Sequence, residues 1–274
     1  MFINIINDSS DDNARQRQVV RWSSIFPKGS ISFTKVGGNL DKNSTLEAAG
    51  NLIDSLDASQ GKKGVISVNV APRGDRKDGE NGSKFCYFYY KSTLVISTVQ
   101  NYSLSLVKEV GLINSIHLLD TQRVSTFANN KGLIDENTHK RLVDTQFRSF
   151  EFQPRVARWL TDGVKIPSKS RSINTTPKAP DAVWLIDSFG NAKTTIMKDT
   201  TKDVSRKYPG NIKTNLGAFK VYNRLKDIPK KDTAVYIGSS GIGNKRFLEI
   251  ATQAVAGSAA KKLDLKVGQE FKIL

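Results

Sequence analysis

Short apolar runs and amphipathic stretches alternate along the first 165 residues. Phe2–Ile6, Val65–Val70 and Leu94–Ser97 are continuous or nearly continuous apolar runs and predict buried strands. Ile31-Ser32-Phe33-Thr34 alternates and predicts another strand. Between them, Ala14–Phe26 spaces Val19, Val20, Ile25 and Phe26 among Arg and Gln, the pattern of an amphipathic helix. Ser44-Thr45-Leu46-Glu47 reads as a capping box opening a helix that runs through Leu56. Gly132–Asp144 predicts a helix with Leu133, Ile134 and Leu142 as its apolar set. Lys84–Lys91 reads KFCYFYYK. Its aromatics fit a strand packed on both faces, and aromatics between basic residues also fit a base-stacking surface. Strands alternating with helices predict an α/β domain, a Rossmann-like sheet with flanking helices.

The pattern changes near residue 165. Lys165–Ala179 is rich in Pro, Ser and basic residues, and Pro180 closes it. This composition predicts a domain boundary, with an α/β domain over 1–165, a basic linker over 166–181 and a second domain over 182–274. Beyond it, Val183–Ile186, Phe219–Tyr222 and Ala234–Ile237 are short strands separated by turn residues, which predicts a small all-β, barrel-like domain.

Length and composition narrow the class. The chain has 274 residues, 38% of them hydrophobic, enough for one large or two modest cores. No apolar run approaches the ~18 residues of a membrane-spanning helix. Met1–Ile6 is followed at once by polar residues, so it reads as a first strand and not as a signal peptide. A lone Cys86 fits a reducing cytoplasm. The formal net charge is +16, which attracts polyanions and is the best argument for a nucleic-acid partner. The basic residues are scattered and form no recognition motif, so a solvated basic surface is the simpler expectation and nucleic acid an unlikely partner.

Candidate chemistry concentrates in two loops. Asn7–Asn13 (NDSSDDN) follows the first strand, at the edge where α/β proteins place ligands. Asp8, Asp11 and Asp12 there suit either helix capping or ligand binding. The loop lacks the Gly and final Glu of a calcium loop. Asp187-Ser188-Phe189-Gly190-Asn191 ends the Val183–Ile186 run, and delivers a carboxylate, a ring and a carboxamide to one sharp corner. The Gly-rich 74–82 segment lacks the Gly-Lys-Ser/Thr ending of a P-loop. One Cys and two separated histidines, His117 and His139, offer no metal-site spacing.

Several ordered motifs in the last third resemble one family. They are Asp187–Asn191, Ser239-Ser240-Gly241, Leu248-Glu249-Ile250-Ala251, Gly257-Ser258-Ala259-Ala260 and Leu265-Lys266-Val267-Gly268. Together they resemble the C-terminal domain of the S-adenosylmethionine hydroxide adenosyltransferases and the related fluorinases and chlorinases. The first two thirds match more loosely, and the 129–144 segment looks inserted. The resemblance implies a homotrimer binding S-adenosylmethionine, as substrate or ligand and with no metal, between the N-terminal domain of one subunit and the C-terminal domain of the next.

By that resemblance Asp8 holds the ribose, with Asn13 at the family's second acidic position and Asp12 beside it. Asp187 and Ser240 hold the methionine end, Phe189 and Asn191 the adenine, and Ala254 presents a backbone group to it. The hydrolytic members use an Asp, an Arg and a His. Here the Asp position is Ala71 and the His position is Phe147, or Ala128 in an alternative register; Arg73 and Arg76 are candidates for the Arg, and Ser149 for a halide donor. The chain therefore reads as a divergent member. The reaction implied is SN2 attack at ribose C5′ by hydroxide or halide. The alternatives are a trimer that binds the nucleoside without turnover and a basic nucleic-acid-binding protein.

Overall fold

A computed structural model describes residues 1–37, 42–72, 82–201, 210–253 and 257–274. The chain divides into two compact units, Met1–Pro177 and Lys178–Leu274. No helix among the described residues is long and apolar enough to cross a membrane.

The first unit opens with β1 (Phe2–Asn7), α1 (Asp12–Ile25), β2 (Ser30–Lys35), α2 (Asn43–Ser59) and β3 (Gly64–Asn69). β1 pairs in parallel with β2 on one side and with β3 on the other. Its inner residues Ile3, Ile5 and Ile6 are buried, as expected of a strand flanked on both edges and both faces. Asp11 caps α1, its Oδ1 accepting the Ala14 N–H at 3.0 Å. Trp22 then anchors the buried face of α1, stacked on Phe26.

β4 (Phe85–Tyr90) and β5 (Thr93–Thr98) form a hairpin, followed by α3 (Ser105–Val110) and β6 (Ser115–Leu119). The KFCYFYYK run is thus a strand, with Phe85, Cys86 and Phe88 buried. α4 (Thr121–Asn130), α5 (Glu136–Asp144), α6 (Arg148–Glu151), α7 (Gln153–Thr161) and β7 (Lys169–Ser172) complete the unit. The seven strands order as β2-β1-β3-β5-β4-β6-β7. β3 is parallel to β5, and the remaining neighbours, from β5 through β7, are antiparallel. One core cluster gathers Ile3, Ile5, Trp22, Ile96, Phe152 and Trp159 among others.

Two local expectations are corrected. The capping box does not form: the cap position is Lys42, with no side-chain cap bond, and α2 begins at Asn43. Glu47, its intended partner, accepts the Gly37 N–H at 2.8 Å instead. The helix expected from Gly132 starts only at Glu136, because Gly132 adopts φ +66° beyond the end of α4 and Asp135 supplies a new cap. The stretch 166–181 carries an edge strand, since β7 pairs with β6 from Ser115–Ser172 to Leu118–Lys169.

The second unit contains β8 (Val183–Ile186), β9 (Ala192–Asp199), β10 (Asn211–Thr214), β11 (Gly217–Tyr222), β12 (Thr233–Ile242), β13 (Lys245–Thr252) and α8 (Ala259–Lys262). The sheet order is β10-β11-β12-β13-β9-β8. Its two edges are β10 and β8, and the C-terminal tail reaches both: Glu270 bridges Ala182 and Ile273 bridges Thr214. Val183, Leu248, Ile250 and Phe271 are buried in the enclosed core.

Candidate functional site

In the first unit the order β2-β1-β3 places a topological switch point between β1 and β3, where open α/β sheets receive ligands beyond the strands' carboxyl ends. Asp8 and Ala71 lie just past those ends. The Ala71 N–H donates to Asp8 Oδ2 at 2.7 Å, and the Asp8 N–H donates to Asn69 O at 3.2 Å. Beneath this loop Asn7, 1% exposed, donates from Nδ2 to Gln18 Oε1 at 2.5 Å. Gln18 Nε2 in turn donates to Ser9 O at 3.1 Å. A hydrogen-bonded pair of buried amides of this kind fixes the path of the loop. Sequence patterns missed both residues; a Gln on the buried face of an otherwise polar helix was the available signal. Asp12 and Asn13 sit exposed in the first turn of α1.

Phe147 and Ala128 are the two residues that the family resemblance sets at a histidine position. Phe147 stacks on Phe150, ring centroids 5.5 Å apart. The Arg17 guanidinium lies 5.2 Å from the first ring and 4.8 Å from the second. Ala128 is buried in the core. Neither can move a proton. Ser149 is 2% exposed, and its Oγ has no hydrogen-bond partner among the described residues. Two residues on, Glu151 is buried and accepts from Arg155 at 2.8 Å, from Arg21 at 3.3 Å and, more loosely, from Arg141 at 3.5 Å. Gln153 pins the start of α7 to β3, receiving the Ser67 hydroxyl at 3.0 Å and donating to Val68 O at 3.1 Å. Arg73, Arg76 and Ala254 lie outside the described residues.

In the second unit Asp187 organises the corner after β8. Its Oδ1 accepts the N–H groups of Phe189 and Asn191, both at 2.9 Å. Its Oδ2 accepts Asn191 Nδ2 at 3.0 Å. An acidic side chain folded back on its own backbone makes the turn self-supporting. Gly190 takes φ +77°, and a Cβ there would stand 2.0 Å from Ser258 Cβ. The Ala260 N–H donates to Gly190 O at 2.9 Å. Two motifs far apart in sequence are thereby one structure, with Ser258 capping α8. Phe189 projects from this corner 82% exposed.

Behind the corner a polar cluster lies on one face of the sheet. Glu249 is the cross-strand partner of Tyr236 on β12 and of Lys193 on β9. Tyr236 Oη donates to Glu249 Oε2 at 2.5 Å. Burial pushes the Tyr236 hydroxyl pKa far up; the Glu249 charge, its hydrogen bond and Asp187 push the same way. Lys193 Nζ donates to Ser240 Oγ and lies 5.5 Å from the Trp184 ring centroid. A Cβ at Gly238 would meet Glu249 Oε1 at 2.0 Å, so glycine makes the room for the carboxylate. Tyr236, Lys193 and Glu249 were not sequence candidates, because only strand register brings them together.

Residues 181–272 match the family model described as the SAM hydroxide adenosyltransferase C-terminal domain, where SAM is S-adenosylmethionine. Among solved structures, the chain is similar to an uncharacterized conserved protein from Thermotoga maritima, at TM-score 0.67 and 16% identity, covering 99% of this chain and 100% of that one. It is also similar to a conserved hypothetical protein from Thermus thermophilus, at TM-score 0.56 and 15% identity, covering 99% of each chain. At such identities the likeness is one of fold, and it spans both units. No curated protein matches.

Proposed function

We propose that this chain, whose residues 181–272 match the SAM hydroxide adenosyltransferase C-terminal domain, binds SAM and cleaves it at ribose C5′. Attack by water gives adenosine, methionine and a proton. Attack by chloride gives 5′-chloroadenosine and methionine. The observation that carries this reading is the corner built by Asp187. It is rigid, closed by its own hydrogen bonds and by α8, yet it holds a phenylalanine 82% exposed beside a carboxamide. A rigid exposed ring with an adjacent donor–acceptor group suits an adenine face.

In this reading Phe189 and Asn191 take the adenine, and Asp187 and Ser240 the methionine end. Asp8 takes the ribose, with Asp12 and Asn13 at the mouth of its loop. The site forms between subunits of a homotrimer, which supplies the cover that Phe189 needs. Sulfonium is a good leaving group, so the protein's work is to orient and desolvate the nucleophile. Ser149, buried with an unused hydroxyl, is a suitable donor to a small anion. Ala71 and Phe147 supply no general base, a loss of about 10²–10⁴ in rate for a reaction that needs one. That favours halide over hydroxide. It equally favours a second reading, a trimer that binds the nucleoside without turnover.

The test is incubation of the protein with SAM, with and without chloride, followed by chromatography of the products. Adenosine means hydrolysis, and 5′-chloroadenosine means halogenation. Calorimetric binding with no product over hours establishes the second reading. No binding of SAM or adenosine removes both.

A further inference from the structure

On the same edge of the first sheet as the β1–β3 switch point, beyond β3, a cavity of about 920 Å³ opens at the ends of β5 and β6 and the starts of β4 and β7. Among the described residues five cations line it: Lys84 ahead of β4, Arg123 in the first turn of α4, Arg148 at the start of α6, and Lys169 and Arg171 on β7. Asp120 is the one acidic residue among the described residues that line it. Its carboxylate is engaged as the cap of α4, accepting the Arg123 N–H at 2.8 Å. The helix end is therefore already satisfied, and the attraction comes from the side chains.

Lys84, Arg123, Lys169 and Arg171 make no ion pair among the described residues. Arg171 is steadied by a neutral group, donating from Nε to Thr175 Oγ1 at 2.6 Å. Arg148 donates from Nη2 to Ser83 O at 2.5 Å and rests 4.9 Å from the Phe85 ring centroid. Its fork is thus held in place beside the cavity.

Five cations crowded into one concavity repel one another, and an anion of matching charge relieves that repulsion. Among the described residues Lys84, Arg123, Lys169 and Arg171 less the Asp120 carboxylate leave three positive charges, close to the charge of an ionised diphosphate ester. Arginine forks match phosphate oxygens in geometry as well as charge. The cavity volume lies within the ~300–1,000 Å³ range of small-molecule sites. No aromatic ring is among the described residues that line it, so it lacks the stacking platform that single-stranded nucleic acids use. We propose that this cavity binds a small ligand carrying a di- or triphosphate group, at a site separate from the Asp8 loop. The proposal uses none of the adenosyl-site residues and does not rest on that reading.

Isothermal titration of the full chain with tripolyphosphate tests it. The expected result is saturable binding that weakens steeply with salt. The Arg123→Ala/Lys169→Ala double variant changes two exposed residues that make no ion pair among the described residues. It should lose about tenfold in affinity per cation removed. Its thermal midpoint should stay at the parent value. A Lys220→Ala/Lys230→Ala variant, equally exposed but on the second unit, should bind as the parent does. Three results would each overturn the proposal: no saturable binding, equal loss in both double variants, or a twelve-residue oligothymidylate bound more tightly than tripolyphosphate.

Discussion

The Ala71 amide donates to the Asp8 carboxylate at 2.7 Å, tying the ends of the two central parallel strands together across the switch point. The alanine's backbone thus supports the acid proposed to hold the ribose. Asp8→Ala should cost about 1.5–3 kcal/mol in chemical unfolding, the range for a hydrogen bond to a charged group. Asp8→Asn keeps an oxygen for the Ala71 amide. It should unfold near the parent midpoint while binding adenosine about tenfold more weakly or worse. Equal adenosine affinity in the Asn variant would remove Asp8 from the site.

Ser149→Ala separates stability from chemistry in the opposite direction. The hydroxyl is buried and makes no hydrogen bond among the described residues, so no bond is lost on its removal. The thermal midpoint should hold or rise slightly, since a buried polar group without a partner is itself costly. If the hydroxyl steadies chloride, formation of 5′-chloroadenosine should fall about tenfold, as for loss of one charge-assisted hydrogen bond. An unchanged rate would free Ser149 of any role in turnover.

Gly190→Ala should strike the second unit alone. The substitution asks an L residue to hold φ +77° and drives a methyl into Ser258. The two costs together come to about 2–6 kcal/mol. Hydrogen exchange should show protection lost around Asp187–Asn191 and α8 and retained in the strands of the first unit.

Glu151→Ala leaves Arg155 and Arg21, mostly buried, without their carboxylate. Burial already depresses the Arg155 pKa, with Glu151 opposing that shift. Removing the acid should cost about 3–5 kcal/mol in urea unfolding. Arg141→Ala should cost far less, because its side chain is half exposed and screened by water.

Alkali should destabilise the fold. Burial pushes the Cys86 thiol up to about 12 from 9.0, against small opposing contributions from the Ser97 backbone and Arg171. Burial also raises the Tyr236 hydroxyl. A group whose pKa is higher in the folded state gives stability that is complete below its unfolded value. For Cys86 that stability is therefore full below about pH 9 and lost as the pH climbs toward 12. The urea midpoint should fall steadily across this window. Burial keeps the thiol protonated and out of reach at pH 8, so iodoacetamide should label Cys86 only after denaturation. Rapid labelling of the native protein would contradict its burial.

What could be read in the sequence followed the range of the forces involved. The Asp187–Asn191 corner is written locally, since an Asp, a Gly and an Asn at fixed spacing are all that its turn requires. The alternation of strands and helices was legible because each apolar run buries itself against its immediate neighbours. The capping box over Ser44–Glu47 misled because a carboxylate takes the amide that the fold presents, and Gly37 presents one upstream of the helix. The basic cavity was not legible at all. Lys84, Arg123 and Lys169 come from separate segments, and only the antiparallel course of β4, β6 and β7 gathers them.

The tail that reaches both rims of the second sheet has a bearing on how that unit is made. Asp181 O and the Val183 N–H wait for the Phe271 N–H and Gln269 O, and Lys213 O and the Asn215 N–H for the Leu274 N–H and Lys272 O, tail groups that the ribosome adds much later. Through that interval the nascent segment exposes two open strand edges, the kind of surface on which growing chains stick to one another. Trimming a few terminal residues would make that transient exposure permanent, so cells should retain such shortened products mainly as insoluble aggregates.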